Sequence, residues 1–190
     1  MSRAAAFSLP SRSPTSRPPP PVTVLETERL RLRRLSLDDA AFILELLNEP
    51  SFLHFVGDKG VRTLDDARDY ILTGPMASYE RHGFGLYLVK LKERGVPMGI
   101  CGLLKRDALD DVDVGFGFLP AFWLQGYAFE SASAIIAYGR RALGLHRIVA
   151  VTQSDNVGSI KTLEKIGLTF EKMIRLSEDG PEIQLFASEV

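Results

Sequence analysis

Residues 112–130, VDVGFGFLPAFWLQGYAFE, decide the fold. An alternating apolar strand runs from Val112 to Leu119 and stops at Pro120; after a short loop, Gln125-Gly126-Tyr127-Ala128 opens a long amphipathic helix. A strand feeding a glycine-containing loop at a helix N-terminus makes an anion site, because free backbone N–H groups and the positive end of the helix dipole converge there. The small residues Gly126 and Ala128 let a large anion approach the backbone, so a phosphate-bearing cofactor is the first expectation. Two phosphate motifs do not fit. There is no G-x-x-x-x-G-K-[ST] loop, and Gly115-Phe116-Gly117 lacks the third glycine of the dinucleotide fingerprint and lies inside the strand.

Composition narrows the class. A chain of 190 residues has one domain as its default and is long enough to bury a core. A net charge of -1 gives no basic surface for non-specific nucleic-acid binding. The single cysteine, Cys101, cannot form an internal disulfide, which indicates a reducing, cytoplasmic setting. No apolar run approaches the roughly 20 residues needed to span a bilayer, so no membrane partner is expected.

Residues 1–24 differ from the rest. They hold Arg3, Arg12, Arg17, many serines and the run Pro18 to Pro21, with no acid before Glu26, and read as a disordered tail ahead of a domain over 25–190. Organelle transit peptides share the Arg- and Ser-rich composition, but the prolines spoil an amphipathic helix. In the domain, Glu28–Arg34 alternates charge with leucine as a half-buried strand does. Ser36-Leu37-Asp38-Asp39 is a capping box for a helix over about 37–48, ended by Asn48-Glu49-Pro50, and 50–62 reads as a loop. Thr63 caps a second helix that Gly74-Pro75 interrupts before a further turn to Glu80. Strands follow at 84–91, 97–105 and 112–119, the helix at 126–143, a strand at 147–152, a helix at 156–166 closed by Gly167, and strands at 168–175 and 182–187. The order is β-α-α-β-β-β-α-β-α-β-β.

From Thr27 to about Ala187 the chain resembles the GCN5-related N-acetyltransferases (GNAT), nearest the branch with the ribosomal-protein N-terminal acetyltransferases. Thr27-Glu28-Arg29-Leu30-Arg31-Leu32-Arg33 resembles that branch's opening strand, and Asp113-Val114-Gly115-Phe116 its central strand. Trp123-Leu124-Gln125-Gly126-Tyr127-Ala128 resembles the pyrophosphate loop, and Asn156-Val157-Gly158-Ser159 through Gly167 the later cofactor-contacting helix. The resemblance implies an α/β (α+β) fold, with a mixed, mostly antiparallel central sheet, a splayed central strand pair and flanking helices. It also implies acetyl transfer from acetyl-CoA to a primary amine, without a metal. The acceptor would be a small molecule, an antibiotic or a protein N-terminal α-amine; the assembly would be a monomer or homodimer.

The resemblance distributes roles. Gly115, Phe116 and Gly117 would border the gap that takes the pantetheine, and the amides of Leu124, Gln125, Gly126, Tyr127 and Ala128 would hold the pyrophosphate. Leu124 stands where the branch often has glycine. Asn156 would hydrogen-bond the pantetheine amides. A direct transfer needs the amine and thioester held in line, a base for the ammonium, a donor to the carbonyl and an acid for the thiolate. Asp113 is the leading base: it precedes Gly115 by two residues and projects to the same strand face. Glu130 and Glu164 are weaker alternatives. The donor would be a backbone N–H near Phe116 or Gly117. Leu163 occupies the position of the family's usual tyrosine, so Ser159 is the hydroxyl left for the thiolate; Asn156 and Ser159 are also ordinary helix-cap residues.

Other residues read as structural: Cys101 as strand packing, Trp123 as packing beside the loop, and His54, His82 and His146 as scattered positions without metal spacing. The acidic run 107–113 is a solvated turn or an attractor for a cationic substrate. Two rival readings are a non-catalytic acyl-CoA-binding module, motivated by Leu163, and an interaction protein with a Pro-rich ligand tail.

Overall fold

The computed structural model describes residues 22–188. Among them, eight strands form one sheet in the order β1-β2-β3-β4-β5-β6-β8-β7: β1 Thr23–Glu26, β2 Leu30–Arg34, β3 Leu86–Leu91, β4 Pro97–Leu104, β5 Val112–Phe118, β6 Ile148–Thr152, β7 Leu168–Ile174 and β8 Ile183–Ser188. Every neighbouring pair is antiparallel except β5–β6. The mixed, mostly antiparallel sheet implied by the resemblance is therefore present.

Side-chain alternation sets the two faces. Leu30, Leu32, Tyr87, Cys101, Val112, Val114 and Phe118 bury one face. Against it lie α5 (Tyr127–Leu143), through Ala132, Ile135 and Ile136, and α6 (Val157–Lys165), through Leu163. Leu88 and Ile100 bury the opposite face under α1 (Ala40–Asn48), α2 (Pro50–Phe55) and α3 (Leu64–Ile71). A short α4 (Ala77–His82) follows α3. Cys101 is fully buried and its thiol is pushed up to about 12 by desolvation, an inert packing residue.

Three sequence expectations need correction. The composition puts the tail at residues 1–24, but Thr23 and Val24 belong to β1, which pairs with β2, and the Val22 carbonyl accepts from Arg34 N–H (2.9 Å); residues 1–21 of the expected tail lie outside the described residues. Segment 50–62, expected as a loop, begins with α2. Pro50 is the first residue of that helix, where a missing N–H and a fixed φ are no obstacle. A helix of six residues is marginal alone; burial of Phe52, worth roughly 2 kcal/mol, holds it. Gly74-Pro75 does not interrupt its helix. Leu72–Met76 forms a π-helical turn that carries Pro75 inside it and runs directly into α4. The wider turn accommodates the missing N–H, and such turns concentrate at functional sites.

The caps form as expected. Asp66 N–H donates to Thr63 Oγ1 (3.1 Å) while Thr63 N–H donates to Asp66 Oδ2 (2.9 Å). At Ser36 the backbone N–H donates to Asp39 Oδ2 (2.9 Å), and Arg33 grips the same carboxylate through two bonds of 2.8 and 2.6 Å. Burial pushes the Asp39 carboxyl up, but Arg33 and the Ser36 N–H outweigh it and hold the group below its ordinary 3.8. A depressed folded-state value contributes stability that is present above the unfolded value and lost as pH falls through the folded one. Asp39→Asn is therefore expected to cost about 2–3 kcal/mol in urea unfolding at pH 7. The gap between mutant and wild type should close below pH 4, whereas a gap independent of pH would mean the carboxylate charge is not what holds α1 to β2.

Candidate active site

β5 and β6 touch through two residue pairs only, Val112–Ile148 and Asp113–Val149. Beyond them β5 stays with β4 as far as Phe118, and β6 turns away with β8 as far as Thr152. The facing edges, 114–118 and 150–152, have no strand between them. They leave a wedge-shaped slot bordered by backbone donors and acceptors without ladder partners. This is the splayed pair, opening beside Gly115 and Phe116 as expected.

Both ends of the slot are fixed by side chains. At the closed end Arg147 Nε donates to Asp111 (2.9 Å) and its Nη2 to Glu171. Lys105 Nζ donates to the carbonyls of Leu109 and Asp110, both at 2.6 Å. The acidic run 107–113 thus works as a pinned turn. At the open end Gln153 Nε2 donates to the carbonyls of His54 (2.9 Å) and Phe55 (3.2 Å), and His54 Nε2 lies 2.8 Å from Asp155. α2 is thereby tied to the loop between β6 and α6. Gly117 lets it approach, since a Cβ there would meet the Phe52 ring at 2.9 Å. Neither clasp is visible in the sequence: nothing in the local pattern links 50–62 to residues a hundred positions away, or Arg147 to Asp111 and Glu171.

The loop between β5 and α5 has the backbone an anion requires. Trp123 Nε1 donates to the Phe118 carbonyl (2.8 Å) and Gln125 Nε2 to the Ala121 carbonyl (2.9 Å), which hold the turn. Leu124 and Gly126 both take left-handed conformations, φ 58° and 80°. Among the described residues no acceptor takes a backbone N–H from Leu124 to Phe129. A run of free donors at the start of a 17-residue helix fits a pyrophosphate.

Arg29 is a neighbour that the site reading omitted. Its Nη1 donates to the Gln125 carbonyl (3.0 Å), its Nη2 would lie 3.4 Å from a Cβ on Gly126, and its guanidinium sits 4.5 Å above the Tyr127 ring. Glu130 holds it there, accepting from Arg29 N–H (2.9 Å), Arg29 Nε (2.7 Å) and Thr27 Oγ1. Burial pushes Glu130 up, but these donors outweigh it and hold the carboxyl below its ordinary value. Among the described residues all its side-chain bonds run to Thr27 and Arg29, so Glu130 anchors that segment to α5. The signal was the Thr27-Glu28-Arg29 run that carried part of the resemblance. Glu164, the other alternative, is exposed on α6.

Asp113 lies at the closed end on the face of α1–α3. It is 1% exposed, with Arg106 Nε at 3.0 and 3.1 Å from its two oxygens. Burial pushes its carboxyl above 3.8, with Arg106 opposing. Arg106 is a second residue the sequence reading missed, since it reaches Asp113 only through the fold-back of 107–112. Gly115, Phe116 and Gly117 line the β5 edge, while Asn156 and Ser159 start α6 beyond the β6 edge. Asn156 Oδ1 accepts from Ser159 N–H (3.1 Å), so the carbonyl end of Asn156 caps the helix. No hydrogen bond joins Asp113 to Ser159. Leu163 is buried in the core beneath α6. Among the described residues no three His, Cys, Asp or Glu side chains gather as a metal site.

Leu124 shows what its position costs. It is the one described non-glycine residue with positive φ, and its side chain is fully exposed. Leu124→Gly removes the Cβ conflict and no packing. It should raise stability by about 0.5–1 kcal/mol, read as a higher urea midpoint; a lower midpoint would mean that the side chain contributes contacts of its own.

Residues 29–169 match the family model for the acetyltransferase (GNAT) domain. The uncharacterized N-acetyltransferase YoaA of Bacillus subtilis is 30% identical over 154 residues, covering 80% of this chain and 86% of that protein. A GNAT-family acetyltransferase from Bacillus anthracis superposes with TM-score 0.71 at 25% identity, over 85% of this chain and 95% of that one. The ribosomal L7/L12 α-N-protein acetyltransferase RimL, in complex with coenzyme A, shares the fold at TM-score 0.75 and 16% identity, over 87% of this chain and 97% of its own. With its parted central strands and open helix N-terminus, the chain belongs to the GNAT acetyltransferase family.

Proposed function

We propose that this acetyltransferase binds acetyl-CoA along the parted edges of β5 and β6 and passes the acetyl group to a primary amine held on the α1–α3 face. The observation that carries the reading is the conjunction of the slot with the free N–H groups of Leu124–Phe129 at its mouth. A phosphorylated head and a peptide-like arm in one ligand match both features. The family and the coenzyme A bound by its RimL relative support the choice.

Acetyl-CoA supplies the thioester that the amine attacks. The amides of Leu124 to Ala128 would hold its pyrophosphate, with Arg29 adding positive charge, and Gly115, Phe116 and Gly117 would border the pantetheine. The Asn156 Nδ2, without an acceptor among the described residues while Oδ1 caps α6, would donate to a pantetheine carbonyl. A backbone N–H on the open edge of β5 would polarise the reacting carbonyl. Asp113 would take the proton from the ammonium, since burial raises it toward the range in which a carboxylate works as a base. Ser159 would offer its hydroxyl to the departing thiolate.

The acceptor is a protein N-terminal α-amine, as for RimL, or a small amine. The setting is the cytoplasm, in keeping with the buried free thiol of Cys101. A second reading is a binding module without turnover, favoured by the buried Leu163 where the family's tyrosine stands.

Calorimetric titration with acetyl-CoA, and with adenosine as control, tests the reading. Gly126→Asp is expected to weaken acetyl-CoA binding by about tenfold or more, through a carboxylate facing the pyrophosphate and a strained φ. Full affinity in a folded mutant would remove the loop assignment. Asp113→Asn should keep cofactor affinity and lose turnover. With Asp113 raised above 3.8, wild-type kcat/KM falls as pH drops through that raised value. The acid limb should be absent from the residual activity of the mutant, and a limb retained there would exclude Asp113 as the base. Binding with no turnover on peptides or small amines would establish the module instead.

A further inference from the structure

On the face that carries Asp113, one strand away, lies a cavity of about 260 Å³ between the α3–α4 segment and the ends of β3 and β4. Its floor is Leu86 and Leu104. Leu104 pairs with Asp113 across the β4–β5 ladder, and a Cβ on Gly115 would lie 2.7 Å from Leu104 and 3.9 Å from Leu86. The same two leucines therefore border both the cavity and the strand that lines the slot. Its roof is the π-helical turn at Leu72–Met76, whose Thr73, Gly74 and Pro75 face the space. That turn widens the helix just where it covers the cavity.

The charges of the lining are one-sided. Arg81, His82 and Lys105 border the cavity, and no carboxylate does. Lys105 already serves the Leu109 and Asp110 carbonyls, whereas Arg81 makes no hydrogen bond or ion pair among the described residues. Tyr70, also in the lining, lies close enough to Arg106 to feel its charge, and so does Lys59. The path from the cavity to Asp113 thus passes cations, with Asp113 itself the paired acid at its end.

Resting on the acetyltransferase reading, we propose that the acceptor is an amine carrying a carboxylate. Its anionic end is bound in this cavity by Arg81, and its amine is directed over Leu104 toward the slot. A free amino acid and a peptide N-terminus with an acidic side chain share that chemistry. A purely cationic amine does not.

The test measures CoA release from acetyl-CoA with matched acceptors: amino acids against their methyl esters, and short peptides with Asp or Glu near the N-terminus against Asn or Gln counterparts. The acid should exceed its neutral partner by about tenfold or more in kcat/KM, the scale of one hydrogen bond to a charged group. The difference should be in KM and should shrink toward unity in Arg81→Glu. Preference among amino acids identifies a small metabolite; preference confined to peptides identifies a protein acceptor. Esters and amides used as well as the acids, or an acid preference untouched by Arg81→Glu, overturns the assignment while leaving the acetyltransferase standing. Turnover of neither member of any pair would instead remove the acetyltransferase reading, and this inference with it.

Discussion

Everything at this site depends on the parallel contact between β5 and β6 stopping after two residue pairs. Continuing the pairs would give Val114–Phe118 ladder partners and close the slot; with none, the sheet would lose its connection between the β1–β5 block and the β6–β8–β7 block. The molecule settles at two pairs by holding each block from its far side: β5 pairs with β4 along its length and β6 with β8. The closed end is then pinned by Arg147, which reaches one acid on the turn before β5 and another on β7. Partly exposed ion pairs are individually weak. Their value here is geometric, because they set where the divergence begins.

The opposite end is held differently. α2 sits on β5 through Phe52 and reaches the loop after β6 through its own terminal carbonyls, which Gln153 satisfies. Helix C-terminal carbonyls need donor partners, and here the donor, Gln153 Nε2, comes from the far side of the slot. A single amide side chain therefore completes a helix end and fixes the width of the opening. The Arg29–Glu130 pair acts similarly at the loop, joining the chain before β2 to the first turn of α5 so that a guanidinium stands beside the free amides.

Much of this was legible in the sequence because it is local. Strand alternation in 112–118, the two capping boxes and the small residues that open α5 are short-range features, whereas the leucine at 124 stands out only against the family resemblance, where glycine is frequent. The splayed pair came from family resemblance, since no local pattern announces a missing strand contact. What escaped was tertiary. Pro50 reads both as a helix stop and as a helix start, and only the burial of Phe52 decides. Gly74-Pro75 reads as a break unless the chain can widen into a π turn, which needs the helix packed on both sides of it. Arg106 and Arg29 carry no periodicity, and their partners become visible only when the chain folds back.

The electrostatics around Asp113 resolve an apparent contradiction in using it as a base. A carboxylate bonded to a guanidinium is normally a poor proton acceptor, because the pair stabilises the ionised form. Here burial acts the other way and is the larger influence, so the group remains above its ordinary value despite Arg106. The nearby positive charge of Arg106 also disfavours an ammonium. An amine entering this region would be pushed toward its neutral, nucleophilic form before the proposed base Asp113 took a proton. The same guanidinium that weakens the base would thus lessen the work required of it, most effectively for an acceptor whose own carboxylate draws it into the site.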